Sequence, residues 1–229
     1  MIERYSRPRM KRVWSDESKY DKWLQIELAA CEAWAEDGVI PSTDMERLRD
    51  ATYNRAHFEK VLQETRHELT AFLSSITEFV GPEGRWLHLG LTTSDVWDTA
   101  TSLQLVEAAC LLDEGIGDLI SILGEKALEH KHTMMVGRTH GMHAEPITFG
   151  LKLAVWWDEM RRNRRRLAQA QEAVSVGMIS GPVGTHATVP PDVEARVCGH
   201  LGLQVANTST QVIQRDRHAQ FVTTLAIIS

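Results

Sequence analysis

Apolar residues recur at steps of three and four along most of the chain, which is the spacing of one face of an α-helix. The longest uninterrupted case occupies eight positions: Phe149, Leu153, Trp156, Met160, Asn163, Leu167, Ala170 and Val174. These steps form a heptad seam with one polar member, and such a seam must face another helix. The pattern therefore predicts a long bundle helix here, and we expect Glu145 and Pro146 to set its start.

Similar spacing predicts further helices at 17–38, from 42, at 57–81, from about 94 to 131, at 191–202 and from 209 onward. No convincing alternation with a period of two occurs, so no β-strand is predicted. We expect an all-α fold, with a helical N-terminal domain at 1–93 and the first part of a long-helix bundle domain at 94–229. Because the final LAIIS carries no helix-ending signal, we also expect a truncated bundle.

Net charge, the length of apolar runs and the spacing of the cysteines limit the classes of protein to which this sequence can belong. The net charge of −6 argues against a general nucleic-acid binder, and the chain lacks the roughly 18 continuous apolar residues of a membrane span. Cys31, Cys110 and Cys198 are far apart among apolar neighbours, which predicts reduced core thiols in a cytoplasmic protein. The arginine run at 161–166 is the local exception to the acidic balance, and we expect a solvated face paired with neighbouring acids.

Three segments concentrate polar chemistry where helices begin or end: TRHEL at 65–69, LHLGLTTSD at 87–95 and GRTHGMHAEP at 137–146. Helix N-termini and glycine-containing turns expose backbone N–H groups that suit phosphate or carboxylate, and histidine exchanges a proton near neutral pH. The segments therefore favour a shared site for an anionic ligand, whose identity they leave open. His140 and His143 lack the spacing and the further ligands of a zinc site, so no metal is expected.

Five motifs, IERYSRP, TRHEL, WLHLGLTTSDVWDTA, GRTHGMHAEPITFGLKLA and STQVIQRDRHA, occur in this order across the chain. Together they resemble the bacterial adenylosuccinate lyase family of the fumarase/aspartase superfamily. The resemblance implies a helical N-terminal domain followed by very long bundled helices. It also implies β-elimination of fumarate from two purine nucleotides, adenylosuccinate and succinylaminoimidazole carboxamide ribotide, with no metal or organic cofactor.

The resemblance also assigns roles to residues. His140 matches the general acid, His67 a second active-site histidine that contacts substrate, and His88 a third histidine of the site. The other substrate-binding positions match Arg4, Tyr5, Arg66, Glu68, Thr92, Thr93 and Gln211, among which the two threonines correspond to a carboxylate-binding pair. Glu68 departs mildly from the aspartate that relatives often carry. We expect His143 to be structural.

One feature of this family is missing from the sequence, namely a serine-rich signature loop that reads roughly SSxMPxKxNP. In the family this loop carries the base serine and a lysine, and each active site is assembled from three chains of a homotetramer. We therefore expect the 229-residue chain to be inactive, or nearly so, by itself. We also expect it to self-associate through its bundle helices.

Two alternatives stay open. Another lyase of the superfamily, acting on argininosuccinate or on carboxymuconate, would share the fold and the general acid, although IERYSRP and TRHEL favour a purine substrate. A non-catalytic helical assembly module would keep the bundle alone, but a scaffold has no need of histidine and arginine at its helix breaks. A His140→Ala variant separates these classes, because only an enzyme loses turnover.

Overall fold

A computed structural model describes residues 2–229, most of which lie in helices. The helices are α1 (Pro8–Val13), α2 (Asp16–Glu36), α3 (Ser42–Arg49), α4 (Arg55–Thr65), α5 (Glu68–Val80), α6 (Thr93–Glu129), α7 (Phe149–Val174), α8 (Pro191–His200) and α9 (Asp216–Ile228). Short strands accompany them: β1 (Met134–Thr139), β2 (Met142–Thr148), β3 (Val176–Gly177) and β4 (Gln204–Val205). The predicted all-α class is confirmed. In this described part of the chain, no helix is long and apolar enough to cross a membrane.

The chain divides into two compact units. Unit 1 comprises the chain up to Leu105 together with Ser175–Arg215, and unit 2 comprises Val106–Val174 with Asp216–Ser229. Helix α6 therefore contributes its first part to unit 1 and its remainder to unit 2. The division into sequence domains at 1–93 and 94–229 stays a prediction.

Unit 1 has an aromatic core. Tyr20 and Trp23 of α2 pack against Phe58 of α4 and Phe72 of α5, with ring centroids 4.9 Å apart for Tyr20–Phe58 and 5.4 Å for Trp23–Phe72. Rings at this separation attract each other, and full burial of a large apolar side chain contributes about 1.5–3 kcal/mol. The cluster therefore fixes the positions of α4 and α5, between which the TRHEL segment lies.

The single helix predicted across TRHEL is wrong, because the structure divides it into α4 and α5. Arg66 has a left-handed φ of 56°, which ends α4, and its N–H donates to the Leu62 carbonyl oxygen at 2.9 Å. His67 follows in an extended conformation and caps α5. Leu62, Leu69 and Ile76 keep a spacing of seven across the break. Apolar periodicity therefore could not reveal it.

The helix predicted from Ser209 begins only at Asp216, so that boundary is also wrong. Asp98 of α6 accepts the backbone N–H of Ile213 at 2.8 Å, and it accepts two guanidinium N–H groups of Arg215 at 2.9 and 3.0 Å. These contacts hold the segment before α9 in a non-helical conformation.

The prediction of no β-strand is wrong at 134–148, where β1 and β2 form an antiparallel hairpin. Thr139 pairs with Met142, and the residues between them, His140 and Gly141, have φ of 51° and 75°. Two left-handed central residues are what a tight type I′ hairpin turn requires. Most side chains of both strands are exposed, so the apolar–polar alternation of a half-buried strand is missing.

Helix α7 begins at Phe149, so the prediction that Glu145 and Pro146 set its start is wrong. Both residues lie in β2, beside an irregularity of the strand pairing, where a strand tolerates proline. The cap comes from Thr148, whose hydroxyl oxygen accepts the Leu151 N–H at 3.1 Å.

In unit 2, α7 packs against α9, and only part of the heptad seam is buried. Leu167, Ala170 and Val174 are buried, whereas Trp156 is 45% exposed. Unit 2 leaves a group of large apolar side chains exposed, which we call the exposed apolar set: Leu119, Ile122, Leu128, Leu151, Val155, Trp156, Val222 and Ile227.

The arginine run on α7 has the acidic partners that the sequence predicts. Arg164 donates two hydrogen bonds to Asp113 of α6, at 2.7 and 2.8 Å, and Arg162 pairs with Asp158 one turn earlier on α7. These residues are largely exposed, so we assign them a solvated face.

The cysteines follow the prediction only in part. Cys31 and Cys198 are buried in unit 1, but Cys110 is exposed in unit 2, so the prediction of three core thiols is wrong for Cys110. Burial raises the pKa of the Cys198 thiol to about 12, which keeps it protonated and unreactive.

Candidate active site

Two predicted site residues, Arg66 and His67, form the connection between α4 and α5, and both are exposed. The Nδ1 atom of His67 accepts the Thr70 backbone N–H at 3.1 Å and lies 3.0 Å from the Thr70 hydroxyl oxygen. The imidazole itself is therefore the N-cap of α5. The turn presents a guanidinium and an imidazole side by side.

Glu68, the first residue of α5, is held by two partners from α2. Its Oε1 atom accepts hydrogen bonds from the Lys19 ammonium and from the Tyr20 hydroxyl, each at 2.7 Å. Burial acts to raise the pKa of Glu68, but these hydrogen bonds and nearby positive charges hold it below its ordinary value. The carboxylate is thus ionised at neutral pH, and it lines a pocket of about 280 Å³ together with Trp97 and Asp98.

His88 is paired with a fully buried carboxylate. Oε1 of Glu27 lies 2.7 Å from His88 Nδ1, and Oε2 accepts the His88 backbone N–H at 2.7 Å. Burial acts to lower the pKa of His88, but the hydrogen bond and charge of Glu27, with the charge of Asp95, raise it above its ordinary value. Because a carboxylate only accepts, Nδ1 carries a proton, and Nε2 is the nitrogen that a ligand could meet.

Thr92 and Thr93 stand at the N-terminus of α6, where Asp95 completes a capping arrangement. Its Oδ2 atom accepts the Thr92 backbone N–H at 2.8 Å. The same carboxylate accepts the N–H groups of Ser180 and Gly181 at 3.0 and 3.2 Å. Burial raises the pKa of Asp95 to about 6, although these three donors act to lower it. Asp95 therefore joins the threonine pair to the loop after β3.

The remaining substrate-binding candidates of unit 1 are exposed. Gln211 precedes Ile213, whose backbone N–H is held by Asp98. The Arg4 guanidinium carbon lies 4.8 Å from the centroid of the Tyr5 ring, a cation–π distance. These three side chains are available to a ligand from the surface of the unit.

His140 belongs to unit 2, at the tip of the β1–β2 hairpin. Its side chain is exposed, and its ring forms no hydrogen bond with any residue at 2–229. His143 pairs with Arg138 in the hairpin ladder and stays a structural residue by prediction. Across these same residues, no cluster of His, Cys, Asp or Glu is arranged to hold a metal ion.

Backbone strain coincides with the predicted site. Among the described residues, the non-glycine positions with left-handed φ are Arg66, His88, His140 and His186. Such conformations cost about 1 kcal/mol or more each and cluster at functional sites. Three of the four, Arg66, His88 and His140, are predicted site residues, and their roles stay predictions.

Within unit 1, His88 and Thr92 belong to one set of connected residues, and His67 does not belong to it. Hydrogen bonds and electrostatic interactions join His88 and Thr92 through Glu27 and Asp95. The turn that carries His67 is anchored separately, through its own helix cap and through the α2 contacts of the following glutamate.

Glu27 and Asp95 are the supporting residues that the sequence predictions missed. A signal for Glu27 was available, because it is a charge beside Trp23, Ile26 and Ala30 on the apolar stripe of α2. A buried charge requires a partner, so such a position points to a polar site. For Asp95 the signal was its capping-box position, three residues after a threonine.

Residues 3–229 match the protein family described as Lyase. The chain belongs to this lyase family. The lyase-family chain is 50% identical to an adenylosuccinate lyase from Bacillus subtilis and 48% identical to one from Staphylococcus saprophyticus. Each match extends over 230 residues and covers 100% of this chain but 53% of the relative. The lyase-family chain thus spans about half the length of the curated relatives it matches.

A solved structure gives the same result for the fold. The lyase-family chain superimposes on a fumarate lyase from Mesorhizobium sp. BNC1 with a TM-score of 0.88 at 30% sequence identity. The match covers 96% of this chain and 53% of that one. The predicted membership of the fumarase/aspartase superfamily is confirmed.

Proposed function

We propose that this lyase-family chain works as part of an adenylosuccinate lyase, which removes fumarate from adenylosuccinate to give AMP. The observation that carries the proposal is the identity of 48–50% to two adenylosuccinate lyases over the whole chain. The second substrate that we propose is succinylaminoimidazole carboxamide ribotide. Both reactions belong to purine biosynthesis, and we propose a cytoplasmic location for them.

The proposed reaction is a β-elimination. A base removes a proton from the carbon next to a substrate carboxylate, and the carbanion is stabilised as an aci-carboxylate. The bond from carbon to nitrogen then breaks while an acid protonates the leaving nitrogen. We assign the acid to His140, whose exposed ring at the hairpin tip is open to a substrate.

Unit 1 carries hydroxyl and guanidinium groups that suit the binding of an anionic substrate. Thr92 and Thr93 lie at the N-terminus of α6, which spans 37 residues, and the positive end of a helix dipole suits a substrate carboxylate. Arg4 and Arg66 are exposed guanidinium groups suited to phosphate. We propose that His88, Glu68, Tyr5 and Gln211 complete the contacts.

We propose a homotetramer in which chains share active sites. The exposed apolar set of unit 2 supports this, because many large apolar side chains exposed on helices favour contact with another protein chain. The base in this proposal is a serine of a loop that these 229 residues do not contain. The chain by itself is then inactive or nearly so.

A chimera tests the proposal. Residues 1–229 replace the matching 53% of the Bacillus subtilis relative, and fumarate release is measured with adenylosuccinate, with the carboxamide ribotide and with argininosuccinate. We expect the chimera to act on the two purine substrates only, and the separate chain to release no fumarate. His140→Ala should reduce the rate of the chimera by about 100-fold or more, the usual scale of acid–base catalysis.

Several outcomes would contradict the proposal. A folded chimera that acts on argininosuccinate but on neither purine substrate would refute the substrate assignment. An unchanged rate after His140→Ala would refute the assignment of the general acid to His140. His143→Ala serves as the matched control from the same hairpin. Release of fumarate by the separate chain at the rate of the relative would refute its dependence on a further segment.

A further inference from the structure

The cap of α5 defines which nitrogen of His67 holds the proton. A backbone N–H can only donate, and the Thr70 N–H points at Nδ1 over 3.1 Å. Nδ1 must therefore present its lone pair, and in the neutral ring the single proton lies on Nε2. The Thr70 hydroxyl, 3.0 Å from the same nitrogen, can donate to it as well.

The backbone around the ring restricts other orientations. The Arg66 N–H donates to Leu62, and the His67 N–H lies 3.3 Å from the Thr65 hydroxyl oxygen, so both residues of the turn are tied to α4. The next backbone amide of α5, that of Ala71, already donates to the His67 carbonyl oxygen. The Thr70 N–H has no helical partner, as expected in a first turn. The ring fills that role.

We infer that Thr70 is a positioning residue, which holds His67 as the Nε2–H tautomer and makes it a hydrogen-bond donor to the substrate. A neutral His67 has no lone pair at Nε2 with which to take a proton. A proton added at Nδ1 would face the Thr70 N–H and break the cap. His67 therefore serves an acceptor atom of the ligand and does not exchange protons with it. The identity of that ligand rests on the proposed function, whereas the tautomer does not.

The tautomer is measured directly by nitrogen NMR on the ¹⁵N-labelled chain of 229 residues. At a pH about two units above the ordinary histidine value of about 6.5, the two tautomers have well-separated nitrogen shifts. We expect the His67 signals of the Nε2–H form. We also expect a scalar coupling between the Thr70 amide nitrogen and His67 Nδ1, which reports the hydrogen bond without any substitution. A predominant Nδ1–H form, or a missing coupling in a folded chain, overturns the inference.

Two substitutions of Thr70 separate positioning from packing. Thr70→Val keeps the backbone N–H and should leave the Nε2–H form dominant. Thr70→Pro removes the N–H at a first-turn position, and it should shift the His67 nitrogens toward a mixture of tautomers. An unchanged spectrum in a folded Thr70→Pro chain contradicts the assignment. If that variant does not fold, the coupling in the unsubstituted chain still decides.

The donor role has its own test in the chimera described above. Asn at position 67 retains a capping oxygen but does not reach the place of Nε2, whereas Gln places an amide N–H near it. We expect His67→Gln to retain at least about tenfold more activity than His67→Asn. Equal losses overturn the donor role. A chimera that is inactive even with His67 intact counts against the proposed function instead, and the NMR result stands apart from it.

Discussion

Units 1 and 2 differ in the polar side chains that they bury and in the apolar side chains that their long helices expose. Unit 1 buries the carboxylates of Glu27, Asp95, Asp98 and Glu194, and each one accepts a hydrogen bond from a backbone N–H of the same unit. Unit 2 buries Asn163, whose amide nitrogen finds no hydrogen-bond partner within residues 2–229, and it leaves the exposed apolar set uncovered.

The two units obtain the partners of their side chains from different sources. Buried charges are tolerated only when their partners are present, and unit 1 itself supplies a backbone partner to each of these four carboxylates. Exposed apolar side chains on long helices are typical of helices that pack against other helices, which is the arrangement proposed for unit 2. Three experiments test this comparison, in order of decreasing expected effect.

The largest effect is expected from Glu27→Ala. Removal of one partner of a buried pair leaves the other uncompensated, so the free energy of unfolding should fall by about 3–5 kcal/mol in urea titration. Because Glu27 raises the pKa of His88, the loss should be greatest below the ordinary histidine pKa. It should shrink as the pH rises through the raised value and the His88 charge disappears.

Glu32 of α2 supplies the matched control. It pairs with Arg49 on the surface of the same unit, and Glu32→Ala should cost only about 0.5 kcal/mol. Equal losses for the two variants would mean that burial does not distinguish these carboxylates, and the stabilising role assigned to the buried Glu27–His88 pair would then be wrong.

A smaller effect is expected from the titration of Asp95. Its pKa is raised from 3.8 to about 6, so the folded state binds more protons than the unfolded state between these values. Stability therefore falls as the pH rises from about 4 to 6, by about 2 kcal/mol. Asp95→Asn removes this titration. The unfolding free energy of the wild type minus that of Asp95→Asn should decline across this interval, and a flat difference would refute the assignment.

The smallest effect concerns the exposed apolar set. The chain should self-associate as its concentration rises in analytical ultracentrifugation. Substitution of Val155 and Trp156 by lysine should weaken the association by about tenfold, because charge at an apolar contact is costly to bury. Val39 and Val183 of unit 1 are 43% and 62% exposed, a range similar to that of Val155 and Trp156, and lysine there should leave the association unchanged. A chain that stays monomeric at high concentration would remove the distinction between the units.

Sequence periodicity predicted the helices well where the three- and four-residue spacing of apolar positions continues over several turns, as in α2, α6 and α7. Periodicity did not predict the helix boundaries at which a side chain, and not a backbone carbonyl, accepts a backbone N–H. His67 caps α5 through its ring, and Asp98 holds Ile213 out of a helix, so both boundaries depend on contacts that the spacing of apolar residues does not contain. The hairpin was missed for a different reason, because strands exposed on both faces carry no alternation.

For the candidate site, motif resemblance assigned groups such as His88 and Thr92, whereas the carboxylates that hold them, Glu27 and Asp95, were not predicted. Glu27 comes 61 residues before His88, and Asp95 receives N–H groups from residues 85 and 86 positions later in the chain. Pairings over such separations are set by how helices pack together. A single sequence therefore indicates that a buried charge needs a partner without saying which residue supplies it.

The length of the β1–β2 hairpin determines how far His140 lies from the helices of unit 2. Its strands are paired from Met134 with Thr148 at the base to Thr139 with Met142 at the tip, and five steps at about 3.4 Å each give a ribbon of roughly 17 Å. His140 thus lies at the far end of a two-stranded arm whose base is next to the start of α7. The length of the two strands and the type of the turn, more than packing around the ring, determine the position of the His140 imidazole. Shortening the arm by two residue pairs would withdraw the His140 ring by about 7 Å while leaving its chemistry intact.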